Sequence, residues 1–132
     1  MIPAQLQEII GEMNEFSLPE EKYELLIEYG KSLGKYPEEK KTNQYLVPGC
    51  MSVVYINSEV REGKVYFQGY ADALLVKGLV AILIQGLNGM AVDDFKNLDG
   101  SFLTQFGLND SLTPSRANAS LNIFKLMQRQ VQ

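Results

Sequence analysis

Apolar residues recur at intervals of three and four positions in the first third of the chain, a spacing typical of amphipathic helices. A first helix is predicted over residues 4–14, where one face carries Leu6, Ile9, Ile10 and Met13. A second helix is predicted from Ser17 to about Leu33, because Ser17 and Glu20 have the spacing of a capping box and Pro19 fits the first turn. Two short helices therefore open the chain.

In the middle of the chain the helical spacing gives way to strand-like residues that alternate with a period of two, and this pattern predicts a β-hairpin. The strands cover residues 51–60 and 64–71, and Gly63 supplies the positive φ that a three- or four-residue loop requires. Residues 45–47 are a candidate short edge strand. A sheet of two or three strands is not stable alone, so helices are expected to cover one of its faces.

The longest apolar stretch follows the hairpin and predicts the central helix of the domain, at about residues 73–86. Its apolar surface is broad, and Asp72 is placed to be its N-cap. Gly78 in the middle of this helix costs about 1 kcal/mol relative to alanine, which suggests that another element approaches closely there.

Three more helices are predicted after the central one. They lie near residues 91–97, near residues 100–106, and from Pro114 onward with Thr113 as N-cap. We find no internal repeat and no linker. Helices, a hairpin and then helices again give an α+β fold class with a small antiparallel sheet, in a single domain over residues 1–132.

Composition and charge limit the partners. The chain has 132 residues and a formal net charge of −4, without a cluster of basic residues, which disfavours nucleic-acid binding. The N-terminus does not have the pattern of a signal peptide, and the apolar run at residues 79–84 is too short to span a bilayer. A cytoplasmic protein with neither a nucleic-acid nor a membrane partner is expected.

The absence of histidine excludes several chemistries. The chain has no histidine and one cysteine, so it cannot by itself form a Cys–His dyad, a Ser-His-Asp triad, or a metal site of several thiolates. No loop has the spacing of calcium ligands. We expect no cofactor and no metal, and any chemistry of the thiol requires a partner.

The single cysteine, Cys50, lies between a Pro-Gly pair and a strand-like run. Pro48 and Gly49 favour a turn, which places the thiol at a junction between loop and strand, within reach of a partner. A lone cysteine is more often a small apolar core residue. Local sequence leaves both interpretations open.

Three short segments carry a more specific signal. Residues 47–55 read VPGCMSVVY, residues 71–79 read ADALLVKGL, and residues 112–116 read LTPSR. In this order and at these distances they resemble the active-cysteine loop, the helix start and the Leu-Thr/Ser-Pro-Ser-Arg segment of the SufE family, the sulfur-acceptor proteins of iron–sulfur cluster assembly. The resemblance spans essentially the whole domain. The chain departs from the usual family residues glutamine, tryptophan, serine and glycine at Met51, Tyr55, Ala71 and Ala119.

The resemblance implies a persulfide relay. A SufS-like, pyridoxal-phosphate-dependent cysteine desulfurase would present a persulfide, and Cys50 as a thiolate would take its terminal sulfur, stimulate the desulfurase and pass the sulfur to an iron–sulfur scaffold. A single cysteine cannot resolve its own persulfide into an internal disulfide, so the sulfur would be retained until another protein takes it. The chain would be a carrier rather than an independent enzyme. A homodimer is an open alternative.

Two companion residues are suggested with this role. Arg116 would stabilise the thiolate or persulfide by its charge, although a surface arginine at a helix start is an equally good interpretation. Asp72 would hold the Cys50 loop by hydrogen bonds, or would only cap the following helix. The main alternative for the whole chain is a non-catalytic binding or regulatory module of the same fold, with Cys50 buried and inert. An IscU-like scaffold is disfavoured because such scaffolds use several cysteines.

Overall fold

Helices pack on one face of an antiparallel hairpin, so the fold class is α+β, as predicted. The computed structural model describes residues 2–50, 52–108 and 114–131, the side chains of residues 114–117 excepted. In chain order the elements are α1 (Ala4–Asn14), α2 (Pro19–Gly30), β1 (Val54–Arg61), β2 (Lys64–Ala71), α3 (Leu74–Leu87), α4 (Val92–Lys96) and α5 (Pro114–Gln130). Short 3₁₀ helices occupy Glu38–Lys40, Asn43–Tyr45 and Gly100–Phe106.

Helix α3 is the centre of the molecule, in agreement with its broad apolar surface. It packs against α1, α2, β2 and α5, and most of its residues are buried. The close approach suggested by Gly78 is confirmed, because a Cβ atom there would overlap the carbonyl oxygen of Leu26 on α2. Gly30 lies opposite, where a Cβ would come within 3.2 Å of the Gly78 nitrogen. Small residues on both helices therefore let their backbones meet.

The hairpin has a tighter turn than predicted. Its register runs from Val54 opposite Ala71 to Arg61 opposite Lys64. The connection is two residues long, and Glu62 and Gly63 both have positive φ, 52° and 75°. A two-residue turn of this kind matches the right-handed twist of the strands, which explains why it replaces the longer loop expected from Gly63 alone.

The candidate edge strand at residues 45–47 is not formed. Among the described residues the sheet has two strands, and Leu46 makes only an isolated bridge to Tyr55. The Val47 amide still donates to the Val54 carbonyl at 2.9 Å. Pairing stops there because Pro48 has no amide hydrogen and Gly49, at φ 78°, turns the chain away.

The predicted N-caps of α2 and α3 were wrong. Helix α2 begins at Pro19, and its N-cap is Leu18 rather than Ser17, since the residue before a proline is driven into the extended conformation. It ends at Gly30, earlier than expected. Helix α3 has Ala73 as its N-cap, without a side-chain hydrogen bond, so Asp72 does not cap it. Thr113 lies outside the described residues.

The C-terminal part of the core holds α5 in place. Residues 100–106, predicted as a short helix, form a 3₁₀ helix that is followed by Gly107 at φ 69°. The buried ring of Phe124 on α5 packs edge-on against Phe95 and Phe102, with centroid distances of 5.8 and 5.1 Å. These contacts fix α5 against the rest of the domain. No helix in the described ranges is long and apolar enough to cross a membrane.

Candidate functional site

Cys50 lies on a short loop between the last pairing of Val47 and the start of β1. Val47 is buried and bonded to Val54, so one end of the loop is fixed on the hairpin. The thiol is free and partly buried, and it packs against the hydrophobic core. The resting thiol is therefore neither fully exposed nor fully enclosed.

Burial also sets the ionisation of this thiol. Loss of solvent around Cys50 raises the pKa of its thiol above the ordinary value, because the thiolate is the form that needs water most. The thiolate is the nucleophilic form in sulfur exchange. At neutral pH a smaller fraction of the resting Cys50 is consequently in the thiolate form than for a free cysteine.

Asn122 of α5 contacts the loop on the N-terminal side of the thiol. Its Nδ2 atom donates a hydrogen bond of 3.3 Å to the Gly49 carbonyl. Sequence reasoning missed this residue, because the two partners are 73 positions apart. Only the packing of α5 brings them together.

Asp72 contacts the loop on the other side. Its Oδ1 atom accepts a hydrogen bond of 3.1 Å from the Val53 amide. The structure thus brings Cys50 and Asp72 into the same region, as expected for loop support, while that role stays a prediction. Arg116 belongs to α5, but its side chain is outside the described part of the chain, as is all of Met51.

Exposed apolar side chains occur on the segments that adjoin this loop in sequence or carry a hydrogen-bond partner of it. Leu74, at the start of α3, is 65% exposed, and Val53, three residues after the cysteine, is 42% exposed. Leu46 and Leu121, the neighbour of Asn122, are also exposed large apolar residues. The exposure of Val53 could have been predicted from the sequence, because successive side chains of a strand point to opposite faces and the neighbouring Val54 is buried.

A tyrosine cluster covers the outer face of the hairpin near the loop. The ring of Tyr36 stacks on Tyr55 at a centroid distance of 6.1 Å and is tilted against Tyr70 at 6.2 Å, and the Lys41 ammonium lies 4.1 Å from the Tyr70 ring centroid. The Tyr36 hydroxyl is buried without a hydrogen-bond partner among the described residues. Burial, with smaller effects of Tyr45 and Tyr55, raises the pKa of Tyr36 to about 12.

No metal site is built by the side chains that the structure describes. Among them, no three histidine, cysteine, aspartate or glutamate residues are close enough to hold an ion together.

The fold and the site define a small α+β domain organised around one thiol-bearing loop. The family model described as "SufE: Fe-S metabolism associated domain" matches residues 7–131. The chain belongs to the SufE family, and its role lies in iron–sulfur metabolism. Membership of this family implies a cysteine desulfurase as the class of partner.

Individual relatives agree with this assignment. The chain is 47% identical over 127 residues to an uncharacterised SufE-like protein of Synechocystis, which covers 96% of this chain and 80% of that protein. It is 38% identical over 110 residues to the cysteine desulfuration protein SufE of Plasmodium falciparum, covering 80% of this chain but only 44% of the longer relative. The solution structure of a hypothetical protein from Thermus thermophilus has the same fold, with a TM-score of 0.83, 22% identity, and coverage of 99% and 96% of the two chains.

Proposed function

We propose that this protein accepts persulfide sulfur from a pyridoxal-phosphate-dependent cysteine desulfurase on Cys50, stimulates that desulfurase, and passes the sulfur to an iron–sulfur scaffold. The observation that carries the proposal is the free Cys50 thiol on a loop held from both sides, in a chain of the SufE family. A location in the cytoplasm and a homodimer remain expectations beside this proposal.

The transfer needs no oxidant or reductant. The Cys50 thiolate attacks the terminal sulfur of the desulfurase persulfide, a new sulfur–sulfur bond forms on Cys50, and the desulfurase cysteine leaves as a thiolate. The proton of the Cys50 thiol is lost before the attack. Delivery to the scaffold repeats the same exchange with Cys50 as the leaving thiolate.

Partial burial suits a carrier that must protect its cargo. A persulfide that rests against the core meets fewer small thiols, which would otherwise remove the sulfur. The raised thiol pKa lowers reactivity in the resting state. Efficient attack then requires the loop to bring Cys50 out to the partner.

Exposed apolar side chains offer the partner a contact surface. Val53 is hydrogen-bonded to Asp72, Leu74 begins α3 two residues after Asp72, and Leu121 is next to Asn122. Docking of the desulfurase would bury these side chains and exclude water around the exchanging sulfur atoms, with a gain of about 25 cal/mol for each Å² of apolar surface covered.

For Arg116 we keep the role suggested by the sequence. A guanidinium near the exposed thiol would favour the thiolate and the persulfide anion, because opposite charges at short distance stabilise each other. On this basis Arg116→Ala slows persulfide transfer, whereas a surface role leaves the transfer rate unchanged.

Mass spectrometry of the intact protein tests the relay. After incubation with a cysteine desulfurase and cysteine, the wild-type chain should gain about 32 Da for each sulfur atom, as a reversible thiol modification. Cys50→Ser, incubated in parallel, should gain nothing. An unchanged wild-type mass with an active cognate desulfurase would instead favour the non-catalytic binding module with an inert cysteine.

A further inference from the structure

The hydrogen bond between Asn122 and Gly49 fixes the backbone directly beside the thiol. Asn122 Nδ2 donates to the Gly49 carbonyl at 3.3 Å, and a Cβ atom added to Gly49 would lie 3.0 Å from the same nitrogen. Gly49 adopts φ 78°, a conformation that other residues rarely take. The Asn122 amide therefore lies closely against the turn that precedes Cys50.

Asn122 is carried by a rigid support. Its neighbour Ile123 and the following Phe124 are both buried in the core, at 0% and 1% exposure. Rotation or sliding of α5 would break these contacts, so the amide has a fixed position relative to the hairpin. Because the donor has a fixed position, its hydrogen bond restrains the loop instead of moving with it.

The two sides of the loop are held unequally. After the thiol, Val53 is bonded to Asp72 through both its amide and its carbonyl, at 3.1 and 3.2 Å. Before the thiol, the backbone is anchored at the buried Val47, and between Val47 and Cys50 the described hydrogen bond to the loop is the longer, solvent-accessible one from Asn122 to Gly49. Gly49 is thus the weakest of the described attachments, and the loop would open there while Val47 and Val53 stay in place.

We propose that Asn122 is a positioning residue for Cys50, and that breakage of its bond to Gly49 releases the thiol from the core. This inference rests on the proposed sulfur relay for its biological meaning, but it concerns a property of the isolated protein. While the bond is intact, Cys50 is sheltered. Once the bond is broken, the turn is free to carry the thiol outward to a partner.

Alkylation of the native protein by iodoacetamide at one fixed pH measures the exposure of Cys50. Loss of a hydrogen bond of ordinary net strength should raise the alkylation rate about two- to tenfold in Asn122→Ala. Asn122→Leu keeps a side chain of similar size, removes the donor, and adds no charge that would change the thiol pKa. It should raise the rate to a similar extent.

Gln128 provides a matched control on the same helix. Its Nε2 atom donates to the carbonyls of Phe95 in α4 and of Leu98 just after it, at 3.1 and 2.8 Å, so Gln128→Ala also removes amide hydrogen bonds between α5 and a neighbouring segment, but not bonds to the Cys50 loop. It should leave the alkylation rate at the wild-type value. Equal acceleration in Gln128→Ala, or unchanged rates in both Asn122 variants, would overturn the inference.

A second measurement follows the cargo itself. Persulfide-loaded Asn122→Ala, treated with dithiothreitol, should lose its sulfur faster than the loaded wild type by the same two- to tenfold factor. The alkylation result does not depend on a desulfurase. Failure of the relay in the mass experiment and failure of the Asn122 contact are therefore distinguishable.

Discussion

Asp72 and Val53 are joined by two hydrogen bonds at the open end of the hairpin. The Asp72 carboxylate accepts from the Val53 amide at 3.1 Å, and the Asp72 amide donates to the Val53 carbonyl at 3.2 Å. The carboxylate thereby takes the place of a backbone acceptor and extends the pairing one step beyond Val54 and Ala71. This pair fixes the point at which the thiol-bearing loop returns to the sheet.

Removal of the carboxylate should loosen the loop. We expect Asp72→Ala to lower the free energy of unfolding by about 1 kcal/mol, the usual net value of such a bond, and to speed alkylation of Cys50 in the native state. Asp72→Asn keeps an acceptor oxygen and should be close to wild type in both measurements. Urea unfolding and iodoacetamide kinetics check this, and a wild-type rate in Asp72→Ala would remove the proposed support role.

The ionisation of Cys50 gives a pH prediction. Because burial raises its pKa in the folded protein, the pH profile of alkylation should have its inflection at higher pH in the native state than in urea. The raised pKa also makes the free energy of unfolding depend on pH. The contribution of the neutral Cys50 thiol to stability is fully present below its pKa in the unfolded chain, at about pH 8.5, and is lost as the pH rises through its higher pKa in the folded protein.

Cys50→Ser is the control, because it should lack this part of the alkaline loss of stability. A native inflection at or below the one in urea would mean that a nearby cation activates the resting thiol. That is the effect assigned to Arg116 in the opened state, and it would then operate at rest as well.

A charge at the exposed apolar surface should weaken docking. Leu74→Asp places a carboxylate where the desulfurase is proposed to cover an apolar side chain, and a loss of about 1.4 kcal/mol raises the Kd about tenfold. Leu18→Asp is the matched control, since Leu18 is 57% exposed at the start of α2, in a different part of the chain. Equal effects of the two changes on the Kd would argue against a docking surface beside the loop.

The space around two helical glycines, one in α3 and one in α1, predicts opposite effects of replacing them by alanine. Gly78→Ala drives a Cβ atom into the Leu26 carbonyl, and overpacking of this kind costs about 1–3 kcal/mol. Gly11, in α1, has open space around it, so Gly11→Ala should stabilise by about 0.5–1 kcal/mol through helix propensity. Urea unfolding of both variants measures the difference, and a destabilising Gly11→Ala would contradict the propensity argument.

Removal of the buried Tyr36 hydroxyl should be tolerated. Tyr36→Phe keeps the stacking on Tyr55 and removes a polar atom that is buried without a partner among the described residues, so the free energy of unfolding should be unchanged or higher by about 1 kcal/mol. In an alkaline titration followed by phenolate absorbance, the variant should lose one group with a pKa of about 12, while Tyr29, also at about 12, remains. A loss of stability would show that the hydroxyl does have a partner.

Much of the fold could be predicted because its signals are local. The helical spacing of α1, the breadth of α3 and the alternation of the hairpin each depend on neighbours in sequence, and Gly78 is informative because helix interiors penalise glycine. The cap at Asp72 was wrong for the opposite reason. Its carboxylate had a competing partner, Val53, that only the paired hairpin brings within reach.

The site was predictable only in part. Cys50 stands out as the single thiol, and the family motif adds Asp72. The contact of Asn122 with Gly49 depends on how α5 rotates and packs, which no short-range pattern encodes.

The distance of 73 positions between Asn122 and Gly49 also has a consequence for the order of assembly. The hairpin and α3 are made of contacts between nearby segments and can form early, whereas the tether requires α5 to dock on a core that already exists. We therefore expect the bond between Asn122 and Gly49 to be among the last contacts to form, after the segments that flank Cys50 are already in place.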